Sequence, residues 1–168
     1  MSPTLAERGQ VPAGARVSPH FSFAELTRTD HRAFLEEQAA APARIRANLV
    51  RLATDLLEPA RELVGPLRVN SGYRCPGLNA AIGGSKTSRH MDGLAADVVP
   101  VEVDLADAFE RLAQSGVPFD QLIFEFRRWI HIGAAAHGQD PRRQVLAIYE
   151  PGRYLVWSPS DPRFRGTA

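Results

Sequence analysis

The pattern of apolar and polar positions divides this chain into a helical first part and a strand-like second part. From Pro42 to Val64 (PARIRANLVRLATDLLEPARELV), Ile45, Leu49, Leu52, Leu56 and Leu63 recur at helical spacing behind a proline suited to a first turn. Pro59 lies inside this run and predicts a kink or a division of the helix. Upstream, FSFAEL carries Ser22 with Glu25 three residues on, the capping-box start of a short helix. LRVNSGY (67–73) changes to the period of a strand, and PGLNAAIGG (76–84) to a brief helical turn closed by glycines. A second amphipathic helix follows in VDLADAFERLAQSG (103–116), with Leu105, Phe109 and Leu112 on one side and Gly116 just past its end. FDQLIFEF (119–126) and WIHIG (129–133) are strand-like, and QVLAIYEPGRYLVW (144–157) places two apolar runs around Pro151-Gly152, a hairpin signal. Helices first and a mainly antiparallel sheet afterwards make an α+β class. Residues 1–19, rich in Pro, Gly, Ala and Ser without period, are expected to be a loose lead-in to one domain over residues 20–168.

Composition narrows the function. A chain of 168 residues with 44% hydrophobic content supports one real core. A net charge of +1 gives no global basic field, and no basic stripe carries interleaved aromatics, so nucleic acid is not expected as a partner. No stretch has the roughly 18 consecutive apolar residues of a membrane span, and MSPTLAERGQVPAGARV lacks a signal-type apolar run. Synthesis in the cytoplasm without a signal peptide, and no membrane partner, are therefore expected. Lys86 is the only lysine and Cys75 the only cysteine. A single thiol excludes an internal disulfide framework and a thiolate-rich zinc finger, so any metal is held by nitrogen and oxygen; Cys75 itself fits a small buried residue.

Three residues supply such a donor set. In SRHMDGLAADVV, Gly93 ends one conformation and LAADVV begins a strand on which Ala95, Asp97 and Val99 share a face, with His90 on the approach. In WIHIG, Ile130 and Ile132 face a core, so His131 points the other way with Trp129 and Gly133. Singly, each has an ordinary structural reading, a satisfied half-buried histidine or a capping aspartate. Together, two imidazoles and one carboxylate form the three-protein-ligand set of a catalytic zinc site that keeps a fourth position for water.

These motifs resemble a known family. SRHMDGLAAD resembles the SxHxxGxAxD signature of the zinc D-Ala-D-Ala carboxypeptidases and L-alanyl-D-glutamate endopeptidases. WIHIG is similar to the later strand that carries their third ligand, and VNSGYRCPGLNAAIGG resembles the SGYR-x-P-x-LN segment upstream of the first. The resemblance runs from about Phe21 to Gly133. It implies a Hedgehog-like metallopeptidase fold, Zn2+ held by His90, Asp97 and His131, and a peptidoglycan stem peptide as substrate, cut as a D,D-carboxypeptidase or an L-Ala-D-Glu endopeptidase cuts it. It further implies that Arg74 holds substrate or stabilises a developing oxyanion, a task suited to a guanidinium fork. By the same resemblance Ser88 lines the cleft and hydrogen-bonds the peptide, against the simpler reading that it caps a turn.

A zinc peptidase also needs a group that takes a proton from water and passes it to the leaving amine. Glu125 is the candidate, as the odd charge in QLIFEF, sharing a face with Gln121 and Ile123. It shares the face of His131 only if the loop between the two strands has an odd number of residues, which predicts a loop longer than Arg127-Arg128 or a bulge. Asp120 is the alternative base; His20, His31 and His137 lie outside the motifs and are taken as surface residues. Many relatives carry the acid or a second histidine within three residues of the last ligand, where this chain has Arg128, Trp129 and Ile130. The Glu125-to-His131 spacing instead resembles Hedgehog signalling domains. Two readings therefore stand: a peptidase of phage-type cell-wall lysis or remodelling, acting on the wall once released or delivered, and a catalytically silent zinc-stabilised binding or virion structural module of the same fold. A monomer is expected.

Overall fold

The computed structural model describes residues 14–166. Within the expected lead-in, residues 1–13 lie outside the described part, while Ser18 is fastened to the domain by donating its hydroxyl to Glu58 over 2.6 Å.

A layer of helices covers one face of a mixed six-stranded sheet of order β1-β2-β4-β3-β5-β6. The strands are β1 (Leu67–Ser71), β2 (Ala95–Pro100), β3 (Gln121–Glu125), β4 (Trp129–Gly133), β5 (Gln144–Glu150) and β6 (Arg153–Val156). All neighbours are antiparallel except β3 and β5. After β4 the chain crosses to the far side of β3, so β5 joins in the same direction as β3.

Period-2 alternation sorts each central strand into two faces. Ala96, Val98, Leu122, Phe124, Ile130 and Ile132 are buried against the helices. Each of these valine, leucine, isoleucine and phenylalanine side chains contributes about 1.5–3 kcal/mol by leaving water. The opposite face carries Asp97, His131, Ile123 and Glu125.

The long helix forms as the periodicity requires, with Ile45, Leu49, Leu52 and Leu56 in the core. Pro59 does not interrupt the helical run. Helix α3 (Ala43–Arg51) passes through a π-helical segment, Leu52–Leu57, into α4 (Glu58–Val64), and the Glu58 amide bonds Ala53 five residues back. The widened turn accommodates a residue that has no amide proton and a ring that crowds the preceding turn. The extra residue also changes the phase, so Ala60 and Val64 turn inward while Leu63, expected with the core set, is exposed.

Shorter helices carry the loops: α1 (Phe23–Thr27), with the Ser22–Glu25 capping box, α2 (Leu35–Ala39), α5 (Pro76–Ala81), α6 (Leu105–Gln114) and α7 (Pro162–Arg165). Phe109 and Leu112 of α6 are buried and Leu105 is half-buried. Pro151-Gly152 makes the expected tight turn between β5 and β6, with Gly152 at φ +76°. Among the described residues no helix is long and apolar enough to cross a membrane.

Candidate metal centre and groove

The register of the sheet places two of the three candidate ligands side by side. Asp97 on β2 pairs directly with His131 on β4, in a row that runs Ser71, Asp97, His131, Ile123, Leu146, Val156 across all six strands. The third ligand arrives from a 3₁₀ turn, Arg89–Asp92. Ser88 caps that turn by accepting the His90 amide, and Gly93, at φ +68°, ends it in the left-handed conformation from which β2 departs. The capping reading of Ser88 is thus realised, and its residue also lines the groove described below.

His90 Nε2, Asp97 Oδ1 and His131 Nδ1 form a nearly equilateral triangle, with separations of 3.2, 3.1 and 3.2 Å. The other ring nitrogen of His90, Nδ1, donates to the Gly72 carbonyl at 2.7 Å, so Nε2 is the unprotonated one in the neutral ring. The second oxygen of Asp97 accepts from Arg74 Nη2 at 2.6 Å, which leaves Oδ1 for the triangle. All three residues are buried. Lone pairs converging at this range repel unless a proton or cation lies among them. The edges match the roughly 3.3 Å between donors of a tetrahedral ion with bonds of about 2.0–2.1 Å, so the residues fit zinc.

Electrostatics point the same way. Burial pushes the His90 imidazole pKa down, against the pull of Asp97, and so favours the neutral form that a metal requires. For Asp97, burial works toward a higher value, but the interactions with His90 and His131 outweigh it and hold the carboxyl well below the usual range.

Arg74 is committed twice, by Nη2 to Asp97 and by Nε to Ser71 Oγ at 2.9 Å. It therefore positions the candidate carboxylate ligand with two of its five N–H donors, and both N–H groups of Nη1 are among those these bonds do not use.

The β3–β4 connection consists of Phe126, Arg127 and Arg128, three residues between the paired Glu125 and Trp129. The odd count puts Glu125 on the face of His131, as its diagonal neighbour across the pair; such neighbours are roughly 7–8 Å apart in a regular sheet, room for a water between. The loop holds Phe126 and Arg127 at φ +52° and +55°, unfavourable for side chains of this size. Trp129 Nε1 donates to Glu125 Oε2 at 3.1 Å. Burial, with the charge of Asp97 adding to it, raises the Glu125 pKa above the ordinary glutamate value. A half-buried carboxyl with a raised pKa beside a candidate metal centre has the character of a proton-transfer group.

Asp120, the alternative base, is occupied elsewhere. Its carboxylate takes Arg142 Nη2 at 2.6 Å and the Arg142 amide at 2.9 Å, pinning the chain after β4. His20 bonds Glu58, while His31 lies on the rim of the groove rather than apart from it.

The ligands open into a groove of about 1500 Å³. The loop side is formed by residues of 28–31 and 82–92, and the strand side by Ile123, Leu146, Ile148 and Tyr154.

Sequence reasoning missed Gln38 and Gly72, which hold the Ser71–Cys75 segment. Gln38 is buried, donates to the Thr27 and Tyr73 carbonyls and accepts the Cys75 amide at 2.7 Å. Nothing in its local pattern marks it. Trp129 was legible, since alternation places it beside His131.

Comparison with known proteins adds one match: the family model described as Peptidase M15 aligns with residues 19–133. That span contains Arg74, Ser88, Glu125 and all three clustered ligands. No curated protein matches the chain.

Proposed function

The chain belongs to the peptidase M15 family, and from that membership we propose that it is a zinc metallopeptidase hydrolysing a peptide bond in peptidoglycan stem peptides. The observation that carries the reading is the His90–Asp97–His131 triangle with Glu125 on the same sheet face. A zinc ion bound by the three residues supplies a water of lowered pKa and polarises the scissile carbonyl.

The chain's own residues do the rest. Gly72, Arg74 and the Ser88-capped turn fix the ligands in place. Glu125 takes a proton from the attacking water and returns it to the leaving amine. Its raised pKa suits both halves of that transfer. Trp129 holds one carboxylate oxygen, leaving the other for the proton. Arg74 Nη1 offers one donor to a substrate oxygen, and Ser88 stands at the groove wall where a peptide passes. The volume of the groove, about 1500 Å³, suits a peptide segment better than a small ligand. A role in phage-type wall lysis or remodelling is consistent with this substrate.

The test is mass spectrometry of purified peptidoglycan incubated with zinc-loaded protein, beside a chelator-treated sample and Glu125→Gln. New peptide fragments from the wild type alone support the reading, and their masses name the bond. Three identical digests, with zinc bound stoichiometrically, reject it in favour of a silent zinc-stabilised module.

A further inference from the structure

Five cations line the groove: Arg28, Arg74, Lys86, Arg89 and Arg142. Three of them are already matched. Arg74 pairs with Asp97 and Arg142 with Asp120, each at 2.6 Å, and Arg89 lies 3.8 Å from Asp92. Arg28 has no ion pair among the described residues, but Asp30, two positions on, lines the same rim. Lys86 is exposed and has no ion pair among the described residues, and its own loop, Ile82–Ser88, reads IGGSKTS and holds no acid.

The loop that presents Lys86 is built. The Asn79 side chain donates to the Ser85 carbonyl at 2.9 Å, and the Gly84 amide to the Asn79 carbonyl at 2.8 Å. The Ser88 amide closes the turn on the Ser85 carbonyl at 3.0 Å. Ser88 then caps the turn that delivers His90, so Lys86 stands four residues from a ligand on a continuously hydrogen-bonded path. Across the groove, Ile123, Leu146, Ile148 and Tyr154 offer apolar surface, and the cation of that side, Arg142, is spent on Asp120. On the loop side Arg28 and Arg89 stand with Asp30 and Asp92, which leaves Lys86 as that side's unbalanced charge. Arg74, the obvious anchor for an anionic substrate, is turned to Asp97 instead.

Resting on the peptidase reading above, we propose that Lys86 is a specificity-determining residue that binds a carboxylate of the peptide substrate on the loop side of the metal centre. An ammonium on a flexible stem at an exposed rim tolerates carboxylates in more than one position, where a bidentate arginine would demand one geometry.

Two measurements test this on the full zinc-loaded chain. The probe is the synthetic peptide acetyl-L-Ala-γ-D-Glu-(Nε-acetyl)-L-Lys-D-Ala-D-Ala, with analogues amidated at the glutamate α-carboxylate or at the C-terminus. In the first, Lys86→Met raises KM for the parent peptide about tenfold with kcat unchanged, the loss of one charge-assisted contact. One of the two amidated analogues shows the same rise on the wild type and no further rise on the variant. In the second, the protein carries Glu125→Gln and is treated with a limiting amine-acetylating reagent. Because Lys86 is the sole lysine, its modification is read directly by peptide mapping. The parent peptide slows it severalfold and the amidated analogue that loses affinity does not.

A wild-type protein that cleaves none of the peptides counts against the peptidase reading alone, because protection of Lys86 reports binding without turnover. Acetylation unchanged by the parent peptide overturns the assignment, as does a KM for Lys86→Met within twofold of wild type.

Discussion

Asp97 and His131 face each other directly across the β2–β4 pair, and their ligating atoms are 3.1 Å apart. The separation follows from the sheet, because residues opposite each other on antiparallel strands bring their side chains together on one face. Two of the three candidate metal ligands are thus set by strand register. A slip of one residue on either strand would send one of them into the helix-covered core. Only His90 depends on a turn; Ser88 caps the start of that turn, and the Gly72 carbonyl accepts from the His90 ring.

Metal binding is expected to stabilise the fold. In chelator-treated protein three donors crowd one buried point without a cation among them. Zinc at a free concentration 100 times its Kd adds about 2.7 kcal/mol, which for a chain of this size raises Tm by roughly 5–10 °C. Differential scanning calorimetry with and without zinc measures this, and Asp97→Ala abolishes the zinc-dependent shift. A wild type indifferent to zinc would show that the triangle is not a metal site.

The indole of Trp129 is expected to set where activity falls on the acid side. Glu125 acts as a base only when ionised, so kcat/KM rises with pH through its raised pKa. The Trp129 N–H favours the ionised form, while burial opposes it. Removing the donor in Trp129→Phe therefore raises the pKa further and moves the acid limb to higher pH, with the plateau retained. A limb that stays in place, or moves to lower pH, assigns the proton transfer to another group.

Much of this site was legible in the sequence because its signals are local. The glycine after HMD, the alternation of AADVV and the two isoleucines around His131 fix which way each side chain points. The parity of the β3–β4 loop followed from requiring Glu125 and His131 to share a face. Other features depend on contacts between distant segments. Period-2 alternation identifies the faces of β3 and β5 but not that they are parallel neighbours. The π segment that absorbs Pro59 is chosen by packing, and the displacement of Leu63 from the core follows from it. The pairing of Arg74 with Asp97 was not legible, because the two lie 23 residues apart and meet only once β1 and β2 pair.

The Asp120–Arg142 pair gives an acid-sensitive contribution to stability. Hydrogen bonds from Arg142, the largest influence, hold the Asp120 carboxyl below its ordinary value despite burial. Such a group contributes fully above its unfolded pKa, near 3.9, and the contribution is lost as pH falls through the folded value. Arg142 is more than half exposed, so the pair is screened, and Arg142→Ala is expected to cost about 1 kcal/mol at pH 7. Urea unfolding at pH 7 and pH 3 checks the sign: the difference between variant and wild type shrinks at the lower pH. A constant difference would place the loss in packing rather than in charge.

Gly72 is expected to tune the candidate metal centre although it supplies no ligand of its own. A Cβ built there would lie 2.3 Å from the Leu26 carbonyl oxygen and 2.9 Å from its carbon, and backbone cannot give way as a flexible side chain would. The close approach exists because the neighbouring Tyr73 amide donates to that same oxygen at 2.7 Å. Gly72→Ala must therefore displace the segment whose carbonyl fixes the His90 tautomer. The overpacking costs about 1–3 kcal/mol, and loss of the orienting hydrogen bond lowers zinc affinity about 10–100-fold. Gly116→Ala, where an added Cβ meets nothing within 4 Å, is the control and leaves both unchanged. Competition titration against a zinc chelator separates the effects: a Gly72→Ala protein that loses stability but binds zinc as the wild type does would show that the carbonyl is not what orients His90.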